Sequence, residues 1–181
     1  MKRIILTAMT IAVLCVVFSP LAQAGDEWKK TMKENLEQQY GPFVKMGRTA
    51  PQNTGAVYQI VSRGINAAPA VNGANYVLTK FSPTGQISGP SGLAGIMQRN
   101  DVAVGKFRKG DEVYVIQVLV SDDHVDFRVV SVDPRDVNAG GTTYQLHSTA
   151  QIRFEFEKGV LAETPVEEVI KHITWALNKA E

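Results

Sequence analysis

The three histidines are the side chains of this chain best suited to hold a metal ion or to move a proton. His124 follows Asp122 and Asp123, whereas His147 and His172 lie far along the sequence. No two of them have the spacing of zinc ligands, and turn carboxylates beside a solvated imidazole explain the acidic run. We therefore predict no metal site and no cofactor. A zinc site that joins His124, a neighbouring aspartate and His147 is the alternative.

Acid–base hydrolysis needs two carboxylates across a cleft, one of them in an apolar setting that raises its pKa. Acids such as Asp122 and Glu155 have no such setting in the sequence. Ser91 stands in a Gly-Pro-Ser-Gly turn between Gly89 and Gly92, without the Gly-x-Ser-x-Gly pattern of a nucleophile elbow. The sequence therefore predicts a protein that is not an enzyme, with a hydrolase of cell-wall or extracellular polymers as the alternative.

The first 24 residues have the pattern of a secretory signal peptide. Lys2 and Arg3 precede an apolar run over residues 4–18, and Ala22 and Ala24 supply the small residues that a signal peptidase reads. The apolar run is shorter than the roughly 20 residues that span a bilayer. We predict cleavage after Ala24, a periplasmic or secreted protein, and no membrane span in the mature form.

Charge and cysteine content narrow the classes of partner. Removing Lys2 and Arg3 leaves one more acidic than basic side chain, a formal charge of −1 with histidine neutral. No concentrated basic stripe is present, so nucleic acid is not an expected partner. Cys15, the only cysteine, lies inside the predicted signal peptide. The mature chain therefore has neither a disulfide nor a thiolate nucleophile.

Residues 25–54 are predicted to form an N-terminal helix and a connection. Asp26 can cap the helix, and Gly41-Pro42 ends it. Apolar residues with a spacing of four form a narrow stripe, at Trp28, Met32, Leu36 and Tyr40. Such a stripe packs against the protein's own sheet or against a partner.

Residues 55–181 are predicted to form a β-rich domain that ends in a helix. Strands are predicted at 57–61, 76–81 and 142–148, and the glycine-rich segment 64–110 is otherwise expected to be irregular. Ile152, Phe154 and Phe156 alternate with polar residues, which indicates a strand with one core face.

The strongest pattern is a predicted hairpin over residues 111–133, ended by Asp133-Pro134. If the chain reverses at Asp122-Asp123, Val118 faces Phe127. Strict alternation then fixes the other pairs on both faces, which are Val120 with Val125, Leu119 with Asp126, Gln117 with Arg128, Ile116 with Val129, Val115 with Val130, Tyr114 with Ser131, and Val113 with Val132.

The C-terminal helix is predicted to begin in the capping box Thr164-Pro165-Val166-Glu167. Its buried stripe is expected at Val166, Val169, Ile170, Ile173 and Leu177. Trp175 falls on the opposite side, at 100° per residue. We predict that another element covers it, most simply the first helix with Trp28 and Met32; an exposed indole that binds a partner is the alternative.

Two sequence features carry a resemblance to known proteins. The Gly-Asp start and alternating strand of residues 110–115 resemble the opening of small SH3-like β barrels. Together with 122–127, 133–134, 152–156 and Gly159, these residues are similar to exported bacterial domains of unknown function. The resemblance covers about a third of the chain and brings no functional residues with it.

We therefore predict an α+β domain, with a small antiparallel β barrel or curved sheet on which an N-terminal and a C-terminal helix pack. The predicted function is that of an exported, non-enzymatic envelope or extracellular module, binding or structural, with an envelope protein or a cell-wall component as its partner. The candidate interaction residues are Trp28, Trp175, Gly89, Ser91 and Gly92.

Overall fold

The computed structural model describes residues 19–71, 74–89, 105–139 and 141–180, and it is an α+β fold with two helices and a curled, half-barrel mixed sheet. The helices are α1 (Ser19–Tyr40) and α2 (Val166–Ile173), and a 3₁₀ turn spans Leu161–Glu163. The strands are β1 (Val57–Ile60), β2 (Asn66–Pro69), β3 (Val77–Phe81), β4 (Ile87–Ser88), β5 (Gly105–Lys106), β6 (Glu112–Val120), β7 (His124–Ser131), β8 (Arg135–Ala139), β9 (Thr142–Leu146), β10 (Ser148–Glu155) and β11 (Leu177–Lys179).

The strand order is β11-β1-β6-β7-β10-β2-β5, with β3 beside β10 and β4 beside β3. The predicted curved sheet is confirmed. Within the described residues the order is open and no barrel closes, since β11 and β5 stand at its two ends. The expectation of a purely antiparallel sheet is wrong, because β3 runs parallel to β10, as the long chain between them allows.

β6 and β7 form the predicted hairpin. Near its tip the predicted register is confirmed, with Val118 opposite Phe127 and Val120 opposite Val125. Towards the base the predicted register is wrong by one residue, because a β-bulge at Ile116 places two residues of β6 against one of β7.

The bulge decides which side chains at the base of β6 reach the core. Val115 lies opposite Val129 and Tyr114 opposite Val130, where strict alternation puts Ile116 and Val115. The extra residue reverses the alternation, so Val115 becomes buried in the core at 1% exposure while Ile116 stays half-buried. A long β-branched strand thereby keeps valines on the core side along its whole length.

The first helix extends further towards the N-terminus than predicted. It begins at Ser19 rather than at an Asp26 cap, with Pro20 in the first turn, where the missing N–H has no intrahelical partner to lose. Its predicted end before Gly41 is confirmed. The predicted stripe is also confirmed by the burial of Met32, Leu36 and Tyr40, with Trp28 partly buried beside them.

An aromatic cluster lies where α1 meets the sheet. The ring of Tyr40 meets Phe127 edge-on, with centroids 4.9 Å apart. Phe127 in turn lies 6.1 Å from Phe154, which stacks on Phe81 at 5.3 Å. The predicted core face of β10 is confirmed, and these rings tie three strands and the helix into one core.

The C-terminal helix starts one residue later than its predicted first residue, Pro165: it begins at Val166 with Pro165 as its N-cap, and the predicted capping box does not form. The Thr164 hydroxyl donates instead to the carbonyl of Val160, 2.8 Å away. Thr164 follows the 3₁₀ turn directly, and its hydroxyl serves the preceding turn rather than the helix.

The predicted buried stripe of α2 is confirmed at Val169 and Ile173, whereas Leu177 is buried as predicted but does not belong to the helix. The helix ends at Ile173, and Leu177 begins β11, where it pairs with Ile60. Pairing with β1 overrides the helical spacing because it buries Leu177 in the core and gives this segment a sheet partner. Trp175 consequently lies in a turn rather than on an outer helix face.

The segment 64–110 is more regular than predicted. Its predicted strand is confirmed as β3, but β2, β4 and β5 were expected to be irregular. Short strands of small residues beside Gly and Pro give a weak period-two pattern. Among the described residues, no helix is long and apolar enough to cross a bilayer.

Candidate functional site

A cleft of about 690 Å³ lies between the sheet edge at β2 and β5 and the β8–β9 hairpin. Small residues of three strands contribute to its wall, and charged residues of β5, β8 and the β5–β6 connection stand around them. The lining residues are Ala67, Pro69, Gly105, Lys106, Arg108, Asp111, Arg135, Asp136, Val137, Asn138 and Ser148.

Arg135 joins the two sides of this cleft. Its Nη2 lies 2.5 Å from Oδ2 of Asp111, and its Nη1 donates to the carbonyl of Lys106 at 3.2 Å. The guanidinium also lies over the ring of Phe107, 4.8 Å from the centroid. These contacts hold the start of β8 against β5, and the carboxylate of Asp111 balances the positive charge of Arg135.

Asp111 also anchors the turn before β6. Its carboxylate accepts a hydrogen bond from the backbone N–H of Arg108, and its own N–H donates to the carbonyl of Arg108 at 3.0 Å. Gly110 takes a φ of +93° in this turn, a conformation that side-chain-bearing residues rarely adopt. The turn directs Arg108 to the rim of the cleft.

Lys106 and Arg108 are the exposed cations of the rim, and neither forms an ion pair with another described residue. The carboxylate of Asp111 is shared by Arg135 and the turn, and that of Asp136 accepts a hydrogen bond from the Gln145 amide. The cleft is therefore suited to bind a polar group of negative charge.

The candidate tryptophan Trp28 borders a second, more open groove of about 550 Å³ at the side of α1. Residues of α1 form one wall, including Met32, and Ala162 and Val166 form the other. Trp28 is partly buried against the core. It therefore contributes to packing between α1 and the C-terminal segment.

Trp175 is covered by a ring stack and by a turn. Its indole stacks on the imidazole of His172 with ring centroids 4.3 Å apart, and His172 stacks on Phe156 at 5.0 Å. On another side the indole approaches the turn at Gly85, where an added Cβ would lie 3.3 Å from the ring. The stack and the turn account for the partial burial of Trp175.

The stacked imidazole of His172 is expected to make the stability of the protein depend on pH. Burial lowers the pKa of His172 below 6.5, with Lys171 lowering it further and Glu168 opposing. The native state therefore favours the neutral imidazole, so its contribution to stability is complete above about pH 6.5 and is lost as the pH falls below that value towards the folded pKa.

We expect the urea midpoint of the wild type to fall more between about pH 7.5 and pH 5.5 than that of His172→Phe, which keeps a ring in the stack without a titrating group. Urea unfolding monitored by circular dichroism at both pH values measures this difference. Equal losses in the two proteins would contradict the assignment.

The acids that the hydrolase alternative names are each paired with a lysine. Asp122 lies 2.6 Å from Nζ of Lys29, and Glu155 lies 2.6 Å from Nζ of Lys80. Both carboxylates thus face a cation rather than a second carboxylate. This arrangement differs from the paired acids that glycoside hydrolysis requires.

Among the residues whose burial the structure describes, Asp126 is the most buried carboxylate, and it lies on the face of the sheet opposite the core side chains Val125 and Phe127. It is 3% exposed and accepts hydrogen bonds from Arg153 Nε at 2.8 Å, Arg153 Nη2 at 2.9 Å and Gln151 Nε2 at 2.8 Å. The pairing raises the pKa of Arg153 above its ordinary value. This network links β7 and β10, and its side chains supply one another's hydrogen-bond partners. We therefore assign it a structural role.

The histidines of the zinc alternative are not brought together. His124 stands at the start of β7, with Nδ1 2.6 Å from Asp123, and that hydrogen bond lowers the pKa of Asp123. Nδ1 of His147 lies 2.9 Å from the carbonyl of Ser131, at the other end of β7. Folding therefore separates the two imidazoles by the length of a strand.

Of the candidate loop residues, Gly89 is exposed just after β4, and an added Cβ there would lie 2.9 Å from the side-chain nitrogen of Asn66. Ser91 and Gly92 lie outside the described residues, as do positions 1–18 of the predicted signal peptide.

Sequence reasoning missed the cleft altogether. Its rim residues, Lys106 and Arg108, lie in the segment 64–110, which the sequence predicts to be largely irregular and without a concentrated basic stripe. The exposed arginine–lysine run after a glycine was the available signal. Comparison with known protein families, with curated proteins and with solved structures finds no match to this chain.

Proposed function

We propose that this protein is an exported, non-enzymatic module that binds or supports a component of the cell envelope or the extracellular space. The ligand surface in this proposal is the cleft between β5 and the β8–β9 hairpin. The single observation that carries it is the pair of exposed cations, Lys106 and Arg108, beside a wall of small residues. A carboxylate of a cell-wall polymer or of an envelope protein suits such a rim.

The preorganised wall of the cleft supports a binding role. Arg135 is held by Asp111, by a backbone carbonyl and by Phe107, so it is fixed in place. A ligand that enters the cleft meets a wall that needs little ordering, and less conformational entropy is lost on binding.

The lysine pairs of Asp122 and Glu155 favour the binding module over the hydrolase. Glycoside hydrolysis needs two carboxylates facing each other across the scissile bond, and each of these acids instead faces a lysine.

Export through a cleaved signal peptide forms part of the proposal. The residues of α1 that the structure places in the core, Met32, Leu36 and Tyr40, all follow Ala24. Cleavage after Ala24 would therefore leave those core contacts intact. We expect the protein recovered from cells that express the full-length gene to begin at Gly25, which mass spectrometry measures.

The binding proposal is tested by crosslinking in those cells, followed by capture of the protein. We expect the wild type to recover an envelope component, and Lys106→Glu with Arg108→Glu to recover it at least about tenfold less, because reversed charges repel an anionic group. Lys158→Glu with Lys179→Glu changes two exposed lysines away from the cleft and is the matched control.

Recovery of the free chain alone, or equal recovery by the cleft variant and its control, would overturn the proposal. Release of soluble fragments from purified cell-wall polymer by the wild type, lost in Glu155→Gln, would instead support the hydrolase.

A further inference from the structure

The β8–β9 hairpin forms a sheet of its own and presents an open edge. Within the described part of the chain, β9 pairs with β8 alone. The side chains over residues 142–145 are all exposed, and Tyr144 is 49% exposed. Such an edge strand presents a row of unpaired backbone N–H and C=O groups, with which a further strand can pair.

The register of the hairpin determines which backbone groups face that edge. Ala139 pairs with Thr142 across a two-residue connection, and Tyr144 pairs with Val137. In a hairpin with a two-residue loop these are the pairs that exchange hydrogen bonds, since bonded and non-bonded pairs alternate. The N–H and C=O groups of Thr143 and Gln145 therefore point away from β8.

This edge is complementary to itself. When two copies of β9 run antiparallel with Tyr144 at the centre, Thr143 of one copy lies opposite Gln145 of the other. Both residues have outward backbone groups, so they form a hydrogen-bonded pair, and the two-fold axis repeats it on the other side of Tyr144.

The side chains permit the same pairing. β9 contains no charged residue and no proline, the two features that commonly protect edge strands. By contrast, the sheet ends at β5 and β11 carry Lys106 and Lys179. Two copies of β9 therefore meet without like-charge repulsion, and the hydroxyl of Thr143 lies beside the amide of Gln145 of the second copy.

We propose that the protein forms a two-fold symmetric dimer in which β9 pairs antiparallel with β9 of a second copy. The two hairpins become one four-stranded sheet, with Val137, Tyr144 and Leu146 of each copy on one of its faces. The cleft lies along β8, on the other edge of the hairpin, so the dimer leaves the proposed ligand surface accessible. The proposal is thus independent of the proposed function.

Sedimentation equilibrium of the protein expressed from its full-length gene tests the dimer. We expect the wild type to be dimeric at the higher concentrations and to dissociate on dilution. Thr143→Lys with Gln145→Lys places lysine opposite lysine and is expected to raise the dissociation constant at least about tenfold.

Thr143→Lys with Gln145→Glu is the register control. It places lysine opposite glutamate across the two-fold axis and is expected to keep the dimer. Ile87→Lys changes an exposed apolar residue of another edge strand, 40% exposed, and is expected to leave association unchanged. Circular dichroism verifies that every variant is folded.

A wild type that is monomeric at every concentration overturns the proposal. Equal dissociation constants for the Lys–Lys and Lys–Glu variants overturn it as well, because the proposed register requires them to differ. Dissociation caused by Ile87→Lys alone would place the interface elsewhere.

Discussion

Phe127→Ala is expected to lower the free energy of unfolding by about 3–5 kcal/mol. Phe127 is fully buried and contacts Tyr40 of the first helix and Phe154 of β10. Alanine would remove the ring and leave a cavity between helix and sheet that these rigid neighbours cannot fill completely. Urea unfolding followed by circular dichroism measures the loss.

Two further variants calibrate this result. Ile152→Val removes one methyl group from the residue opposite Phe127 and is expected to cost about 0.5–1.5 kcal/mol, so it reports on the same core if Phe127→Ala does not fold. Ile87→Ala, at an exposed position, is expected to change stability by less than about 0.5 kcal/mol. If Phe127→Ala cost no more than Ile87→Ala, the hairpin would not form the centre of this core.

Asp126→Leu is expected to cost about 3 kcal/mol, because it leaves the guanidinium of Arg153 on the sheet without its carboxylate. Arg153 contacts Asp126 through both Nε and Nη2, and Asp126 has little access to water. Arg153→Leu is expected to lower stability by at least as much, since it leaves the more deeply buried carboxylate of Asp126 without its cation.

The double variant, Asp126→Leu with Arg153→Leu, distinguishes the loss of the ion pair from the cost of leaving one charge unpaired on the sheet. Leucines on neighbouring strands bury apolar surface without an unpaired charge, so the double variant is expected to lose far less stability than the sum of the two single losses. Denaturant midpoints of the four proteins complete the cycle. Additive losses would show that the ion pair is not coupled.

The sequence alone predicts the parts of this fold in which local pattern and burial agree. The common core face of Ile152 and Phe154, and the pairing of Val118 with Phe127, are confirmed because every second side chain of a strand points to the same face of the sheet. The stripe through Leu36 and Tyr40 is confirmed for the equivalent reason in a helix.

The remaining features depend on contacts that no local pattern contains. The bulge at Ile116 has no sequence signal of its own, and it exists because the base of β6 must present valines to the core. Leu177 has good helical spacing from Ile173, yet β1 supplies it with a strand partner that lies far away in the sequence. Local propensity is weak compared with such tertiary contacts.

The candidate site also depends on contacts between segments that are distant in the sequence. The sequence by itself determined the apolar run over residues 4–18 and the amphipathic elements, because each is a property of one short segment. Only the tertiary structure brought Lys106 and Arg108 beside the hairpin that begins at Arg135. A cleft needs residues from several strands at fixed distances, and those distances are decided by how the strands pair and curl rather than by the order of residues along any one of them.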